Sequence, residues 1–215
     1  MAARLLLWIK HRLPWLWRLV DGLNAWLYRL LHAARMHGIA DQVCEQASFD
    51  GYRARLLTRA DMPALAGLLA RQGSERLRHF KPHAFDEDAL IRAWRNPAFL
   101  MFGVFSDTAE RSEDALVGYF YLRCFWNRRC FVGRLIDHAH EGRGIGRLMN
   151  EVMYETAWQS GFRCLSTISK DNVRIMRAHA RNRAMVVLDE LPGEMLFVEF
   201  VRPAAAEGVQ SEEKL

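Results

Sequence analysis

The sequence lacks most of what marks a metal protein, a disulfide scaffold or a membrane span. Only four of its 215 residues are cysteine, and Cys44, Cys124, Cys130 and Cys164 form no Cys-x-x-Cys pair and have no histidines at zinc spacing. Neither a metal nor a disulfide is therefore expected, and the thiols read as reduced core residues, with Cys124 and Cys130 placed to face each other across a hairpin. No internal repeat is visible. The Trp-rich stretch Met1–His32 is interrupted by Lys10, Arg12, Arg18, Asp21 and Arg29, well short of the roughly 18 unbroken apolar residues that a spanning helix requires. Leu5–Ile9 is too short for the apolar core of a signal peptide. Acid is nearly missing there as well. Asp21 stands alone against Arg4, Lys10, Arg12, Arg18, Arg29 and Arg35, so residues 1–35 carry the whole formal charge of +5. Residues 36–215 are then neutral overall, which argues against a nucleic-acid-binding face on the folded part.

What is present suits one packed domain with an appendage: 51% of residues are hydrophobic and 26% charged. Within the arm, Leu16, Val20, Leu23, Leu27 and Leu30 recur at helical steps, flanked by Leu19, Trp26 and Leu31. Pro14 suits the first turn. A Trp/Leu face beside arginines fits an interfacial helix at a membrane surface, and a helix packed on the domain or on a second copy in a homodimer gives the same stripe. Both readings stand at this point. The expected organisation is a basic amphipathic arm over 1–35, a linker over 36–51, a domain over 52–203 and a disordered tail over 204–215.

Along the domain, Arg53–Thr58 reads as a strand and Asp61 as the cap of a helix running to Gln72. Gly73–Phe85 reads as a second short helix and a loop containing Pro82, and Glu87–Trp94 as another helix started by Asp86 and stopped at Asn96-Pro97. Ala98–Phe105 is an apolar strand, and Leu116–Phe125 with Cys130–Asp137 forms a hairpin. Ile145–Ser160 is a helix closed by Gly161. A strand Cys164–Ser169, a helix Asn172–Ala180 and strands Ala184–Leu191 and Met195–Val201 complete the order. The expected fold class is α/β with a mixed sheet.

The segment carrying chemistry joins the hairpin to the long helix: Glu141-Gly142-Arg143-Gly144-Ile145-Gly146. Alternating glycines permit positive φ and close approach. A helix N-terminus offers unpaired N–H groups and the positive end of a dipole, which together suit a diphosphate. Arg143 and Arg147 add charged donors. A dinucleotide fingerprint fails, because Arg147 or Met149 falls where its third glycine belongs, and no Gly-Lys-Ser/Thr follows for a Walker loop.

This turn resembles the acyl-CoA diphosphate signature of the GNAT acyltransferases, Gln/Arg-x-x-Gly-x-Gly/Ala, with Glu141 where Gln or Arg is usual. The resemblance extends through the element order over Tyr52–Arg202. It implies a sheet splayed between its fourth and fifth strands, with acyl-CoA (acetyl-CoA or a longer homologue) as co-substrate. The pantetheine would pair with backbone groups of Leu135, Ile136 and Asp137, and its diphosphate would meet residues Gly142, Arg143, Gly144, Ile145, Gly146 and Arg147. Asn172 matches a residue that bonds the pantetheine arm. His179 stands where a tyrosine commonly protonates the departing thiolate.

Transfer to an amine needs an oriented neutral acceptor, a donor for the oxyanion and a base. Asp137 and His138 are the candidate bases, with Asp137 equally suited to bracing the turn, and the backbone N–H of Ile136 or Asp137 is the candidate oxyanion donor. The acceptor wall is expected from Lys81 and His83 in the segment His79–Phe85 and from Tyr119 and Tyr121. That short segment is similar to acetyltransferases of bacterial surface-polysaccharide pathways, which makes a small amine such as an amino sugar the expected acceptor. A protein lysine, a non-catalytic CoA-binding module and a membrane-recruited module are the rivals. The expected location is cytoplasmic, with the arm at the inner membrane face.

Overall fold

The computed structural model describes residues 14–49, 51–107, 115–180 and 182–203, without the side chains of residues 14–18, 48, 174 and 179. The first thirteen residues of the arm and the tail 204–215 thus lie outside it.

The chain begins with a nearly continuous helix: α1 (Pro14–Tyr28), a π turn (Arg29–Ala33) and α2 (Ala34–Gln46). The segment 36–51 expected as a linker is mostly α2, followed by the short strand β1 (Ser48–Phe49). Its hydrophobic positions explain this, since Met36, Ala40, Val43 and Cys44 recur on one helix face and are all buried. The face that α1 turns inward is not the expected leucine stripe. Asn24 and Tyr28 are buried, whereas Leu19, Val20, Leu23, Trp26, Leu30 and Leu31 are exposed. Polar contacts fasten this helix to the tip of a hairpin: Asn24 Nδ2 donates to the Cys124 carbonyl at 3.1 Å, its Oδ1 accepts from the Trp126 N–H at 3.1 Å, and Arg123 pairs with Asp21 at 2.9 Å.

Next come β2 (Tyr52–Leu56), a 3-10 turn (Arg59–Asp61), α3 (Met62–Ala70), α4 (Ser74–Leu77) and α5 (Glu87–Arg95). Asp61 holds the N-cap position of α3 as expected, but its side chain does not bond forward into that helix, and Thr58 caps the 3-10 turn before it. The Asp61 carboxylate reaches back to the Thr58 N–H at 2.7 Å and hydroxyl at 2.8 Å in a capping box. Asp86 caps α5 as expected, accepting from the Ala89 N–H at 2.9 Å.

The remaining elements are β3 (Phe99–Ser106), β4 (Leu116–Phe125), β5 (Arg129–Ile136), α6 (Ile145–Gln159), β6 (Arg163–Ser169), α7 (Val173–His179), β7 (Met185–Leu191) and β8 (Met195–Phe200). They complete an eight-stranded sheet of order β1-β2-β3-β4-β5-β6-β8-β7. All pairs are antiparallel except β5 with β6. Helices α2 and α6 cover one face, joining Tyr28, Phe102, Phe120, Met149 and Phe162 in one core. Helices α3 and α5 cover the other with Leu65, Leu68, Leu90, Met101 and Tyr119. The four cysteines are reduced and buried, and Cys124, Cys130 and Cys164 lie side by side across β4, β5 and β6. No described helix is long and apolar enough to cross a membrane.

Candidate active site

The site arises where the sheet comes apart. Strands β5 and β6 pair in parallel only at Arg129 with Arg163, Cys130 with Cys164, and Phe131 with Leu165. Ser166 Oγ then donates to the Val132 carbonyl at 3.1 Å, a last bridge before the strands diverge. The gap opens into a cleft of about 920 Å³ lined by Val132–Ile136, Ser166–Ser169, Asn172, Tyr121 and Tyr154. Its mouth is bordered by Glu75, Arg76, Arg78, His79 and Lys81 on one side and by Glu141, Gly142 and Asp171 on the other.

Strand geometry decides which backbone groups face this gap. The Asp137 N–H donates to the Val117 carbonyl of the β4 segment at 2.8 Å. Successive residues of a strand turn their polar groups to opposite edges, so Leu135 and Asp137 serve β4 while the Ile136 N–H and C=O point into the gap. Arg76 Nη2 donates to that same Ile136 carbonyl at 2.9 Å, in keeping with this direction. Of the three residues expected to pair with pantetheine, Ile136 alone is turned to do so through its backbone. The oxyanion-donor choice likewise narrows to its N–H.

Of the glycine turn, Glu141 and Gly142 line the cleft, whereas Arg143, Gly144, Ile145, Gly146 and Arg147 stand behind that lining. Gly142 and Gly144 both take positive φ, 73° and 84°. Gly144 is the N-cap of α6 and no side chain caps the helix. The Arg147 and Leu148 N–H groups return to the Gly144 carbonyl, which leaves the Ile145 and Gly146 amides at the head of the helix dipole. The Ile145 side chain is buried, so only its backbone can serve a ligand. The glycines also make room for protein. A Cβ at 144 would overlap the Phe49 ring, and one at 146 would overlap the Arg134 guanidinium, whereas one at 142 meets nothing. Arg134, unforeseen in the sequence, lines the cleft and donates to the Gly146 carbonyl at 2.9 Å, bringing a cation to the N-terminal end of the helix. Arg143 and Arg147 are exposed beside it, with Arg143 Nη1 3.5 Å from the Tyr52 hydroxyl. An uncapped helix start, a guanidinium at that start and an open strand edge together form a cradle that fits a coenzyme with a diphosphate and an amide-bearing arm.

The candidate acid–base groups separate by environment. Asp137 is buried, accepts from the Ala139 N–H at 3.3 Å and pairs with Arg71 at 3.3 Å. Burial pushes its carboxyl up, but the Ala139 amide, Gln72 and Arg71 outweigh this and hold it below the usual range. Such a carboxylate braces the turn and is a poor proton acceptor at neutral pH. It holds His138, whose Nδ1 lies 3.1 Å from Asp137 Oδ1 and whose side chain is exposed; neither residue lines the cleft. His140 is partly buried and held below its usual range by burial and by Arg143. The His179 side chain lies outside the described residues.

On the acceptor side, Lys81 and Tyr121 line the cleft. Tyr121 lies across Gly133 of β5, where a Cβ would collide with its ring. Burial pushes its hydroxyl up to about 12. His83 and Tyr119, expected on the same wall, do not line the cleft: Tyr119 is in the core and His83 is half-buried against it. Tyr119 is fully buried and its hydroxyl lies 2.8 Å from His83 Nε2, with Phe80, Phe85 and Phe99 packed around the pair. Their rings are claimed by Phe80 and Phe85 of the segment before α5 and by Phe99 of β3. Asn172 lines the cleft and caps α7, its Oδ1 accepting from the Ile175 N–H at 3.2 Å. Among the described residues, no cluster of three or more His, Cys, Asp or Glu could hold a metal ion.

No protein-family model and no curated protein matches the sequence. Solved structures do match by shape. The PaiA N-acetyltransferase from Thermoplasma acidophilum, in complex with coenzyme A, is 13% identical, with a TM-score of 0.58 over 70% of this chain and 99% of that one. The GNAT domain of S. lividans PAT is 14% identical at a TM-score of 0.58, covering 69% of this chain and 89% of that one. A spermidine N-acetyltransferase chimera of the Vibrio cholerae and hSSAT proteins is 17% identical at 0.51, covering 69% and 92%. The chain therefore has the GNAT N-acetyltransferase fold.

Proposed function

We propose that the cleft binds acyl-CoA, acetyl-CoA in the first place, and passes its acyl group to a small primary amine. The observation that carries this reading is the uncapped start of α6, tied through its Gly146 carbonyl to Arg134, which lines the gap between β5 and β6 with Glu141 and Gly142. Bound there, acyl-CoA would supply an activated thioester; the chain's residues would do the rest. The Ile136 N–H faces the gap and would donate to the oxygen on which negative charge grows. Tyr121 carries a proton throughout the neutral range and would return it to the departing sulfur. Glu75 lines the mouth and would attract the acceptor's ammonium and take up its proton through water. His138, oriented by Asp137, is the alternative base; as it lies outside the cleft lining, it would act through water.

Lys81 at the mouth would meet an anionic acceptor, consistent with an amino sugar on a phosphate carrier. The test is release of free thiol from acetyl-CoA in the presence of amino sugars, polyamines or lysine peptides. Turnover on the first group is expected, and turnover on peptides alone would overturn the small-amine assignment. Absence of acetyl-CoA binding would overturn the reading as a whole.

We also propose that the outer face of α1 rests on an anionic lipid surface. Leu19, Leu23, Trp26, Leu30 and Leu31 are all more than half exposed, and the exposed Arg29 and Arg35 adjoin them. Cosedimentation with phosphatidylglycerol vesicles should be lost in Leu23→Glu/Trp26→Glu. Dimerisation without vesicle binding would instead assign the face to a second copy.

A further inference from the structure

Glu141 opens the glycine turn with a carboxylate, a charge that opposes any diphosphate arriving one residue later. The structure shows what offsets it. Arg76, from α4 on the far side of the mouth, pairs through Nη2 with Glu141 Oε1 and with the Ile136 carbonyl at 2.9 Å. Its Nε donates to Gln72 Oε1 at 3.0 Å, and Gln72 is itself buried and donates to the Leu68 carbonyl at 3.2 Å. The Arg76 side chain is only 21% exposed. One guanidinium thus meets three acceptors on a buried support, a fixed geometry unlike that of a loose surface pair.

We infer that Arg76 is a positioning residue of the coenzyme site: it neutralises Glu141, holds that side chain away from the turn and so keeps the helix start electropositive. The inference rests on the acyl-CoA reading of the cleft. It accounts for a carboxylate at the head of an anion site, because with Arg76 in place the pair adds no net charge. Without Arg76, Glu141 would lose its guanidinium partner beside the turn and the Ile136 carbonyl would lose a donor.

Titration calorimetry with acetyl-CoA at low salt tests this on four full-length chains. Against wild type, Arg76→Gln should bind about tenfold more weakly, Glu141→Gln about threefold more tightly, and the double variant should return to within about threefold of wild type. Arg76→Lys, which keeps the charge, should lose less than Arg76→Gln. Wild-type affinity in Arg76→Gln, or a double variant as weak as Arg76→Gln, would overturn the inference, the latter because Arg76 would then touch the ligand itself. Should Arg76→Gln fail to fold, the double variant compared with Glu141→Gln decides, a tenfold loss there being equally fatal. No binding by wild type would instead refute the acyl-CoA reading.

Discussion

Arg134 and Gly146 compete for one volume: the guanidinium donates to the Gly146 carbonyl at 2.9 Å and fills the space a side chain at 146 would take. The glycine is therefore needed for the arginine, and through it for the coenzyme site proposed above. Gly146→Ala would push aside only the end of a flexible side chain, and alanine within a helix gains up to about 1 kcal/mol over glycine. The expected outcome is an unchanged or higher melting temperature with acetyl-CoA affinity down about tenfold. Equal affinities in calorimetry would show that Arg134 does not serve the ligand. Gly144→Ala should behave differently, because φ is 84° and Phe49 blocks the Cβ. It should cost roughly 1–2 kcal/mol or more of stability, from the left-handed backbone alone.

Asp61 supplies an acid-sensitive contribution to folding. Its burial is unfavourable to the charge, yet Arg55 at 2.7 Å and the two bonds to Thr58 lower its carboxyl to about 2. An unfolded aspartate titrates near about 3.9. The folded form therefore binds protons less readily than the unfolded chain, so the stabilisation is present above about pH 4 and fades as pH falls toward 2. Asp61→Asn should lose roughly 1–2 kcal/mol at neutral pH, as expected for a lost cap. It should also show a flatter acid limb than wild type in urea melts between pH 2 and 5. Parallel limbs would remove Asp61 from the acid response.

Tyr121 offers the cleanest separation of chemistry from binding. With a hydroxyl held near 12, it stays protonated over the working range. Tyr121→Phe keeps the ring that lies over Gly133, so acetyl-CoA affinity and melting temperature should be preserved while turnover falls tenfold or more. A full-rate Tyr121→Phe enzyme would move the proton-donor role elsewhere in the cleft.

Much of this was legible in the residues, and the failures share one cause. Element types and order from β2 to β8 follow from periodicity and caps, and the turn at 141–146 follows from its glycines. What periodicity cannot give is which neighbour claims a side chain. Tyr119 and Tyr121 alternate identically on β4, yet Phe80 and His83 close over the first while the second reaches the gap. Arg134 looks like any strand arginine until the β5 register turns it toward α6. Arg76 sits on the short helix expected within Gly73–Phe85, but its partner lies 65 positions away, beyond any local pattern. The arm shows the same limit: its richest apolar stripe faces outward because Asn24 and Asp21 have partners on the hairpin tip.

That inversion in α1 can be measured. Asn24 is 8% exposed and bonds both the Cys124 carbonyl and the Trp126 N–H, whereas Leu23 beside it is 56% exposed. Removing the amide leaves the Cys124 carbonyl under the helix without that donor, a loss of roughly 1–3 kcal/mol. Leu23→Gln alters a solvent-facing side chain and should stay within about 0.5 kcal/mol of wild type. Urea unfolding of the full-length chain, without lipid and at low concentration, should thus rank Asn24→Ala far below Leu23→Gln. The opposite order would mean that the leucine face carries the packing, with a second copy covering it, and the polar contacts to the hairpin tip would no longer explain why this helix lies on the domain.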